Sequence, residues 1–264
     1  VHNELENSSG TILLIPGAGM DYRMGMMINL NNLYSNFNVL SVDLPGHGFT
    51  SGPLKYTIEE LSDFCISIIL NLEIDNLILI GHSMGGLVAL DISSKINNNM
   101  TILMNTSYPL QVGEQLLQHA KNNLDQAGEF LTKYGTFNIP EVTLKAGVFG
   151  SLGASFYNKV NGEIQSPYGT KNISEDPQRE VNLYPLKKIF NQIQKEILFH
   201  DLKACSVYKN NNVKNIKGLK FIYGGRDKLA RFNPDNELHA NFNDEDSKIM
   251  DDTGHFPYFE RPKE

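Results

Sequence analysis

The sequence predicts an α/β fold with a mostly parallel sheet, on three observations. Short apolar runs rich in β-branched residues recur along the chain, and most of them run into glycine- or proline-containing loops. Segments with the spacing of amphipathic helices lie between these runs. Strands that alternate with helices join through right-handed crossovers, so neighbouring strands run parallel. The 264 residues, 41% of them hydrophobic, suffice for one large domain with an inserted subdomain.

Six segments have the pattern expected of strands in such a sheet. They are TILLIPG (11–17), FNVLSVDLPGHG (37–48), NLILIG (76–81), MTILMNT (100–106), LKFIYGG (219–225) and SKIMDDTGH (247–255). The first two are strands that run into glycine- and proline-rich loops, which places loop residues at the carboxyl edge of the predicted sheet.

Helices are predicted over 22–35, 56–74 and 84–95, between the first four strands. The apolar residues of 56–74 fall at helical spacing. Thr57 is placed to cap its first turn, and Glu60, three residues later, is the partner expected in a capping box.

Residues 108–205 interrupt the alternation of strands and helices. They hold two or three amphipathic helices, the last over about 181–203, around a middle rich in Gly, Ser and Asn at 146–176, without a clear buried strand. The economical interpretation is a core of residues 1–107 and 206–264, with a helical cap, or lid, of residues 108–205 inserted between two sheet strands.

Composition excludes several classes of function. A net charge of −7 and a pI near 5.5 argue against a nucleic-acid-binding protein. No apolar run has the ~18–20 residues of a membrane span, and no signal peptide is visible, so we expect a cytoplasmic protein without stable membrane insertion. Cys65 and Cys205 are expected to be buried free thiols, with a disulfide as the alternative. No histidine or cysteine cluster suggests a metal site.

A serine between glycines stands where one strand becomes a helix. Gly81-His82-Ser83-Met84-Gly85 has the form G-x-S-x-G, and a serine exposed at the end of a strand needs a tight, strained turn with small neighbours. The helix that follows points its amino end at Ser83, so the backbone N–H of Met84 can stabilise an oxyanion. Ser83 is therefore the candidate nucleophile; a Gly/Ser loop that only permits close packing is the alternative.

A nucleophilic serine needs a base and a carboxylate that orients it. Asp227 follows the strand that begins at 219, and His255 lies in a loop after the last strand. Sites gather at the carboxyl ends of strands in open α/β sheets, and the order Ser, Asp, His fits this motif class. Asp251 and Asp252 are the fallback acids.

The loop after the first strand, Pro16-Gly17-Ala18-Gly19, is the candidate for the second oxyanion donor. Gly17 lets the backbone approach a substrate, and the N–H of Ala18 is the donor we expect. A plain tight turn is the alternative. The chain has neither GxGxxG nor GxxxxGK[ST], so nucleotide binding is not indicated.

Five motifs in order resemble those of the α/β-hydrolase family: IPGAG (15–19), DLPGHG (43–48), GHSMGG (81–86), GGRD (224–227) and GHFPYFERP (254–262). The resemblance implies the α/β-hydrolase fold, Ser83, Asp227 and His255 as a catalytic triad, and a helical cap. It implies no metal and no organic cofactor. The first loop departs from the family, which often has His-Gly where this chain has Pro16-Gly17. His47 is interpreted as a loop histidine that caps local backbone, and His82 as a packed residue.

The predicted cap should select the substrate. Its aromatic residues, among them Phe130, Phe149 and Phe190, suit an apolar acyl chain, although the cap's own core would use such residues too. Over 110–205 ten Lys/Arg balance ten Asp/Glu, so the whole net charge of −7 lies elsewhere. Lys187 and Lys188, on the last predicted helix of the cap, are candidates for holding an acidic carrier; a solvated helix face is the alternative.

In architecture and cap charge the chain looks similar to the capped pimeloyl-acyl-carrier-protein methyl ester esterases of biotin synthesis. That resemblance implies an acyl carrier protein as partner. Monoacylglycerol-lipase-like enzymes share Gly-His-Ser-Met-Gly-Gly and are a second interpretation. A lyase or acyltransferase on the same fold is a third, and a ligand-binding protein without catalysis is a fourth.

Overall fold

A computed structural model describes residues 5, 7–137, 159–160, 163–166, 169–171, 184–233, 238, 244–262 and 264. Phe149 and the side chain of Lys187, both named above as candidate substrate- or carrier-binding residues, lie outside this part of the chain.

The strands of the described residues form two sheets. In chain order the strands are β1 (Thr11–Ile15), β2 (Asn38–Ser41), β3 (Leu77–His82), β4 (Met100–Met104), β5 (Lys159–Val160), β6 (Glu163–Ser166), β7 (Gly169–Lys171), β8 (Leu219–Gly224) and β9 (Ser247–Met250). Six of them make one sheet in the order β2-β1-β3-β4-β8-β9, and every pair in it is parallel. The six predicted strands and the parallel sheet are confirmed.

The helices, also in chain order, are α1 (Arg23–Met27), α2 (Ile58–Asn71), α3 (Met84–Lys95), α4 (Glu114–Asn122), α5 (Leu124–Gly135), α6 (Tyr184–Asn191), α7 (Lys195–Val207) and α8 (Pro257–Glu260). None of these described helices is both long and apolar enough to cross a membrane.

Strand β1 shows how the parallel sheet is buried on both sides. All five of its residues are buried. Leu13 and Ile15 belong to an apolar cluster that includes buried residues of α2 and α3. Ile12 and Leu14 belong to a second cluster, with residues of α4, α5, α6 and α7. Successive side chains of a strand point to opposite faces, so one continuous apolar run supplies both clusters.

Helix α2 begins as its sequence predicts. The Thr57 hydroxyl accepts the N–H of Glu60 at 3.2 Å, and the Glu60 carboxylate reaches back to the N–H of Tyr56 at 2.9 Å. A capping box would direct that carboxylate to the N–H of Thr57, so the bond is displaced by one residue. The first-turn N–H of Glu60 and the N–H of Tyr56, just before the cap, both gain side-chain acceptors, which stabilises the helix start.

The helix predicted over 22–35 is wrong in its length. Helix α1 ends at Met27, and Ile28 is extended at φ −76° and ψ 129°. Asparagines at 29, 31 and 32 follow, and the N–H of Asn31 faces the side chain of Asn29 at 3.4 Å. Asparagine competes with helical hydrogen bonds through such local contacts, so turns replace the rest of the helix.

The chain divides into two compact units. One comprises Val1–Phe137 with Leu186–Glu264, and the other Asn138–Pro185. The second unit contains β5, β6 and β7, a small antiparallel sheet that the sequence analysis did not anticipate. The helical cap over 108–205 stays a prediction.

The helix expected over about 181–203 is present as two helices, α6 and α7, with a break at 192–194. Gln194 is extended there, at φ −67° and ψ 136°. The break sets Ile193 beside Gly19 in the loop after β1 and lets Gln192 accept from Arg23 at 2.6 Å. A tertiary contact of this kind is invisible in the local helical spacing.

Cys65 and Cys205 are buried free thiols, as predicted. Burial raises the pKa of Cys65 to about 12, so the thiol stays protonated and behaves as a small apolar side chain.

Candidate active site

Ser83 occupies a strained turn between β3 and α3. Its φ of 53° and ψ of −117° lie outside the regions that residues with a side chain favour. The turn is fixed from both sides, because the Ser83 N–H donates to Met104 O at 2.9 Å and its carbonyl accepts from Thr106 Oγ1 at 3.0 Å. Strain held in this way is typical of a functional position.

The glycines on either side of Ser83 are required by close backbone approach. A Cβ at Gly81 would collide with the carbonyl of Gly85, and a Cβ at Gly85 would collide with the carbonyl oxygens of Ile15 and Pro16. The start of α3 therefore lies directly against the ends of β1 and β3. This is the packing that the G-x-S-x-G pattern predicts.

Asp227 and His255 meet at the carboxyl end of the sheet. Nδ1 of His255 lies 2.7 Å from Oδ2 of Asp227, and both side chains are buried. The other oxygen of Asp227 accepts the N–H groups of Leu229 and Ala230, at 2.8 and 3.0 Å. Two residues that are 28 positions apart in the sequence thus form the pair that the order of motifs predicts.

The surroundings of Asp227 keep its carboxylate ionised. Burial acts to raise the pKa of Asp227, but the charge and hydrogen bond of His255 outweigh it, with help from Asn105 and the N–H of Ala230. Together they lower the pKa to about 2. An ionised carboxylate accepts the Nδ1 proton of His255, so Nε2 is the nitrogen left to accept a proton.

The fallback acids are not at this site. Asp251 and Asp252 are exposed, and Asp252 lies 3.8 Å from Arg226 in a surface ion pair. Their closeness to His255 in sequence does not bring their carboxylates to its ring.

Ser83 and His255 line the same cavity, which has a volume of about 370 Å³. Within the described chain no hydrogen bond joins Oγ of Ser83 to Nε2 of His255. Such bonds are often long in free enzymes and tighten when substrate binds. The cavity also includes Gly17 and Ala18 of the loop after β1.

Among the described residues, neither candidate oxyanion donor has an acceptor for its backbone N–H group. Helix α3 begins at Met84, so that N–H has no acceptor within the helix. In the loop after β1, Gly19 N–H donates to Asp201 and Met20 N–H donates to Gly17, whereas the described residues provide no acceptor for Ala18 N–H. Both free donors belong to residues adjacent to the Ser83 turn.

A buried histidine–carboxylate contact holds the loop that contains Ala18. Oδ2 of Asp201, in α7, accepts the N–H of Gly19 at 2.8 Å and faces Nε2 of His47 at 2.8 Å. Nδ1 of His47 lies 3.3 Å from the carbonyl of Pro45, so His47 does contact local backbone, as interpreted from the sequence. Burial acts to lower the pKa of His47, but the Asp201 charge and hydrogen bond outweigh it and raise the pKa.

His82, next to the candidate nucleophile, packs under the His255 loop. It is buried, and its Nε2 donates to the carbonyl of His255 at 2.7 Å. Burial and, to a smaller extent, the neighbouring His255 together lower the pKa of His82 to about 3. A neutral ring that donates through Nε2 supports the backbone of His255 and is not a proton carrier for the reaction.

Asn105 is a site residue that the sequence analysis missed. It follows β4, has a φ of 48°, and is fully buried. Its Nδ2 lies 2.7 Å from Oδ2 of Asp227 and 3.1 Å from the carbonyl of Gly254. The available signal was an asparagine at the carboxyl end of a central strand, where side chains of neighbouring strands converge.

Most of the cavity wall is apolar. Two of the three predicted aromatic residues, Phe130 and Phe190, are part of it. The other apolar side chains that line it are Ala18, Met20, Leu110, Val112, Leu116, Leu131, Leu202, Leu229, Ala230 and Phe256. Lys188 does not line the cavity; it is half-buried on α6, two residues before Phe190. The arrangement combines a strained serine, a histidine–carboxylate pair and an apolar pocket.

Comparison with known proteins gives one family match and many similar folds. Residues 12–264 match the family model described as "Alpha/beta hydrolase family". A lipase-esterase related protein from Clostridium acetobutylicum superimposes with a TM-score of 0.69 at 21% identity, covering 100% of this chain and 94% of the other. The enol-lactonase from Burkholderia xenovorans gives 0.69 at 19% identity, over 98% and 89%.

A curated relative shares a shorter segment. The dihydrolipoyllysine-residue acetyltransferase component of the acetoin cleaving system of Pseudomonas putida is 35% identical over 92 residues. The match spans 34% of this chain and 25% of that protein.

Proposed function

Because the chain belongs to the alpha/beta hydrolase family, we propose that it is a serine carboxylester hydrolase with Ser83 as nucleophile, His255 as base and Asp227 as orienting acid. The observation that supports this most is the 2.7 Å pairing of Asp227 with His255 beside a cavity that both His255 and Ser83 line. The strained turn at Ser83 and the free N–H groups next to it fit the same role.

The reaction proceeds through an acyl-enzyme. Oγ of Ser83 attacks the ester carbonyl carbon while Nε2 of His255 takes the hydroxyl proton. The tetrahedral intermediate collapses, the carbon–oxygen bond to the alcohol breaks, and His255 returns the proton to the departing oxygen. Water then attacks the acyl carbon while Nε2 of His255 takes one of its protons. The bond between Oγ of Ser83 and the acyl carbon breaks, His255 returns the proton to Oγ, and the carboxylic acid leaves. The route requires neither a metal ion nor an organic cofactor.

The backbone N–H groups of Met84 and Ala18 stabilise the oxyanion in both steps. Each donor of this kind contributes about 3 kcal/mol to transition-state stabilisation. Asp201 supports this function indirectly, because it accepts the N–H of Gly19, the residue next to Ala18, and so restrains the loop. The oxyanion loop is therefore held from α7 by a buried carboxylate.

The acyl group binds in the apolar cavity. Burying an apolar chain among Phe130, Phe190 and the aliphatic residues around them contributes about 0.8 kcal/mol per methylene. A cavity of about 370 Å³ with this lining favours an aliphatic acyl chain over a charged or strongly polar one.

The finer proposal is an ester of pimeloyl type bound to an acyl carrier protein, with a role in biotin synthesis. Helix α6 supports it, because the helix brings Phe190 to the cavity wall and leaves Lys188 half-exposed nearby. Basic groups at this position would attract the acidic carrier while its acyl chain enters the cavity. The helical cap over 108–205 is part of the same proposal. A glyceryl ester, as in a monoacylglycerol-lipase-like enzyme, is the alternative substrate.

Acyl transfer to an acceptor other than water is the second candidate activity. It is favoured by the 92-residue similarity to an acetyltransferase component, which covers only a quarter of that protein. A lyase on the same fold would use the same three residues for proton abstraction, and no observation favours it over hydrolysis.

Hydrolysis of a panel of esters of one acyl chain tests the proposal. Three substrates are compared by kcat/KM: the methyl ester without a carrier, the glyceryl ester, and the methyl ester bound to the carrier. Parallel reactions also contain a thiol or an alcohol as an alternative acyl acceptor. We expect every ester that reacts to be hydrolysed, and we expect the highest kcat/KM for the carrier-bound ester. Product found only on the acceptor would replace hydrolysis by transfer. Preference for the glyceryl ester would replace the carrier by a free lipid.

A further inference from the structure

Glu260 is a buried carboxylate close to His255 that the reaction described above does not use. It ends helix α8, and only 6% of its surface is exposed. Its two oxygens accept three backbone N–H groups: Gly254 and Phe137 at 2.9 Å on Oε2, and Phe256 at 3.2 Å on Oε1. Gly254 and Phe256 are the residues directly before and after His255.

These three bonds fix the backbone on both sides of His255 and tie it to the end of α5. The N–H of His255 itself donates to the carbonyl of Gly135, the last residue of α5, at 2.5 Å. The N–H of Phe137, two residues further on, is held by Glu260. The loop that presents the imidazole is therefore attached at three successive residues, and Glu260 provides two of those attachments.

Burying a carboxylate costs free energy unless hydrogen bonds compensate. A side chain that only filled the space at this position would therefore be expected to be apolar. Burial raises the pKa of Glu260, whereas the N–H groups of Phe137, Gly254 and Phe256 and the nearby His255 act to lower it. Among the described residues, Asp227, His82 and Glu260 interact electrostatically with His255, and Tyr258 lies near Glu260. Glu114 and Lys228 line the same cavity as His255.

We infer that Glu260 is a positioning residue for His255: its carboxylate clamps the peptide groups before and after the histidine and places a second buried negative charge near the imidazole, behind that of Asp227. The inference rests on the proposed role of His255 as the base. Two carboxylates then set the orientation and the charge environment of that base: Asp227 binds its ring, and Glu260 binds the backbone on either side of it.

Glu260→Gln separates these roles from simple space filling, because the amide has nearly the same shape without the charge. We expect kcat to fall about 10- to 100-fold, as for loss of a charged hydrogen-bond acceptor, with KM changed less than about threefold. The acidic limb of the kcat/KM profile should move to lower pH, since less negative charge near His255 makes its protonation harder. Glu260→Asp keeps the charge on a shorter side chain that no longer spans to all three N–H groups. Its kcat should fall, while the acidic limb of its kcat/KM profile should stay at the wild-type pH.

The control is Glu264→Gln, which removes an exposed carboxylate that pairs with Arg261 at 3.9 Å. Both its kcat and its pH profile should match the wild type. Should Glu260→Gln behave like this control, or lower kcat with an unmoved limb, the inference is wrong. If wild-type protein neither hydrolyses esters nor reacts with a fluorophosphonate, it is the proposed function that fails.

Amide hydrogen exchange of the wild-type protein provides a measurement that does not depend on a variant that folds. The N–H groups of Gly254 and Phe256 should exchange far more slowly than that of Asp252, whose residue is exposed in the neighbouring turn. Exchange of all three at the same rate would overturn the clamp.

Discussion

The side-chain amide of Asn105 lies 2.7 Å from Oδ2 of Asp227, the same oxygen that faces Nδ1 of His255 at 2.7 Å. One carboxylate oxygen therefore serves two partners from different strands and loops. Asn105 restricts the position of the carboxylate, and the carboxylate restricts the position of the imidazole. The histidine is thus oriented through two successive hydrogen bonds that begin at the end of β4.

Removing this amide should lower activity without removing the acid. Asn105 has a φ of 48°, which glycine tolerates, so Asn105→Gly deletes the hydrogen bond with little backbone strain. We expect kcat/KM for a short-chain p-nitrophenyl ester to fall about 10- to 100-fold, as hydrogen bonds to charged groups contribute about 1.5–3 kcal/mol. Asn212→Gly, at an exposed position, should leave it unchanged. Equal rates for the two variants would remove Asn105 from the site.

Gly85→Ala should destabilise the fold at the Ser83 turn. The added methyl group meets the backbone carbonyls of Ile15 and Pro16, which belong to the sheet edge and cannot move independently. Overpacking of this kind costs about 1–3 kcal/mol in the free energy of unfolding, measured by denaturant titration. Gly113→Ala is the matched control, since a Cβ there has no neighbour within 4 Å. Similar stabilities would show that the close approach is not rigid.

Acidification should destabilise the fold through His82. Its pKa is lowered to about 3 in the folded chain, against about 6.5 when exposed, so the unfolded chain binds more protons between these values. The free energy of unfolding should therefore decrease as pH falls from about 6.5 towards 3. His82→Gln keeps a donor for the carbonyl of His255 and should show a shallower pH dependence over that range.

His119→Gln is the control for this titration, because it removes a half-buried histidine on α4. Its pH dependence should follow that of the wild type more closely than His82→Gln does. If His82→Gln and the wild type lose stability in parallel on acidification, His82 is protonated in the folded protein.

The sheet and the Ser83 turn were predictable from local sequence. Buried parallel strands are continuous apolar runs, so TILLI predicts a buried strand. A serine between small residues at a strand end is typical of a nucleophile turn, so GHSMG predicts the turn at Ser83. Thr57 likewise marks a helix start by chemistry that acts within four residues. In each case the pattern that predicts the structure lies within a few neighbouring residues, although the sheet and the Ser83 turn also make contacts with distant ones.

The parts that escaped prediction depend on contacts between distant residues. Asn105 reaches Asp227 across 122 positions, and Glu260 reaches Phe137 across 123. The break between α6 and α7 places Ile193 against Gly19, which is more than 170 positions away in the sequence. Asparagine-rich turns shortened α1, and here composition did contain a signal, because asparagine disfavours helix interiors.

Charge reversal at Lys187 and Lys188 tests the carrier proposal. The double variant Lys187→Glu, Lys188→Glu should lower kcat/KM for a carrier-bound ester at least about tenfold at low salt, since each rim charge contributes to association. Hydrolysis of a p-nitrophenyl ester should be unaffected. The control is Lys209→Glu, Lys217→Glu, which makes the same change in net charge at exposed positions beyond α7. If both double variants weaken carrier turnover equally, net charge alone explains the effect.

The central claim is that Ser83 is made nucleophilic by His255 and Asp227. The most direct measurement is covalent labelling of the folded protein with a fluorophosphonate, followed by mass spectrometry of the intact chain and its peptides. The claim predicts one adduct on Ser83, absent in Ser83→Ala and formed orders of magnitude more slowly in Asp227→Asn. A folded wild-type protein that acquires no adduct, or acquires it on another residue, would contradict it.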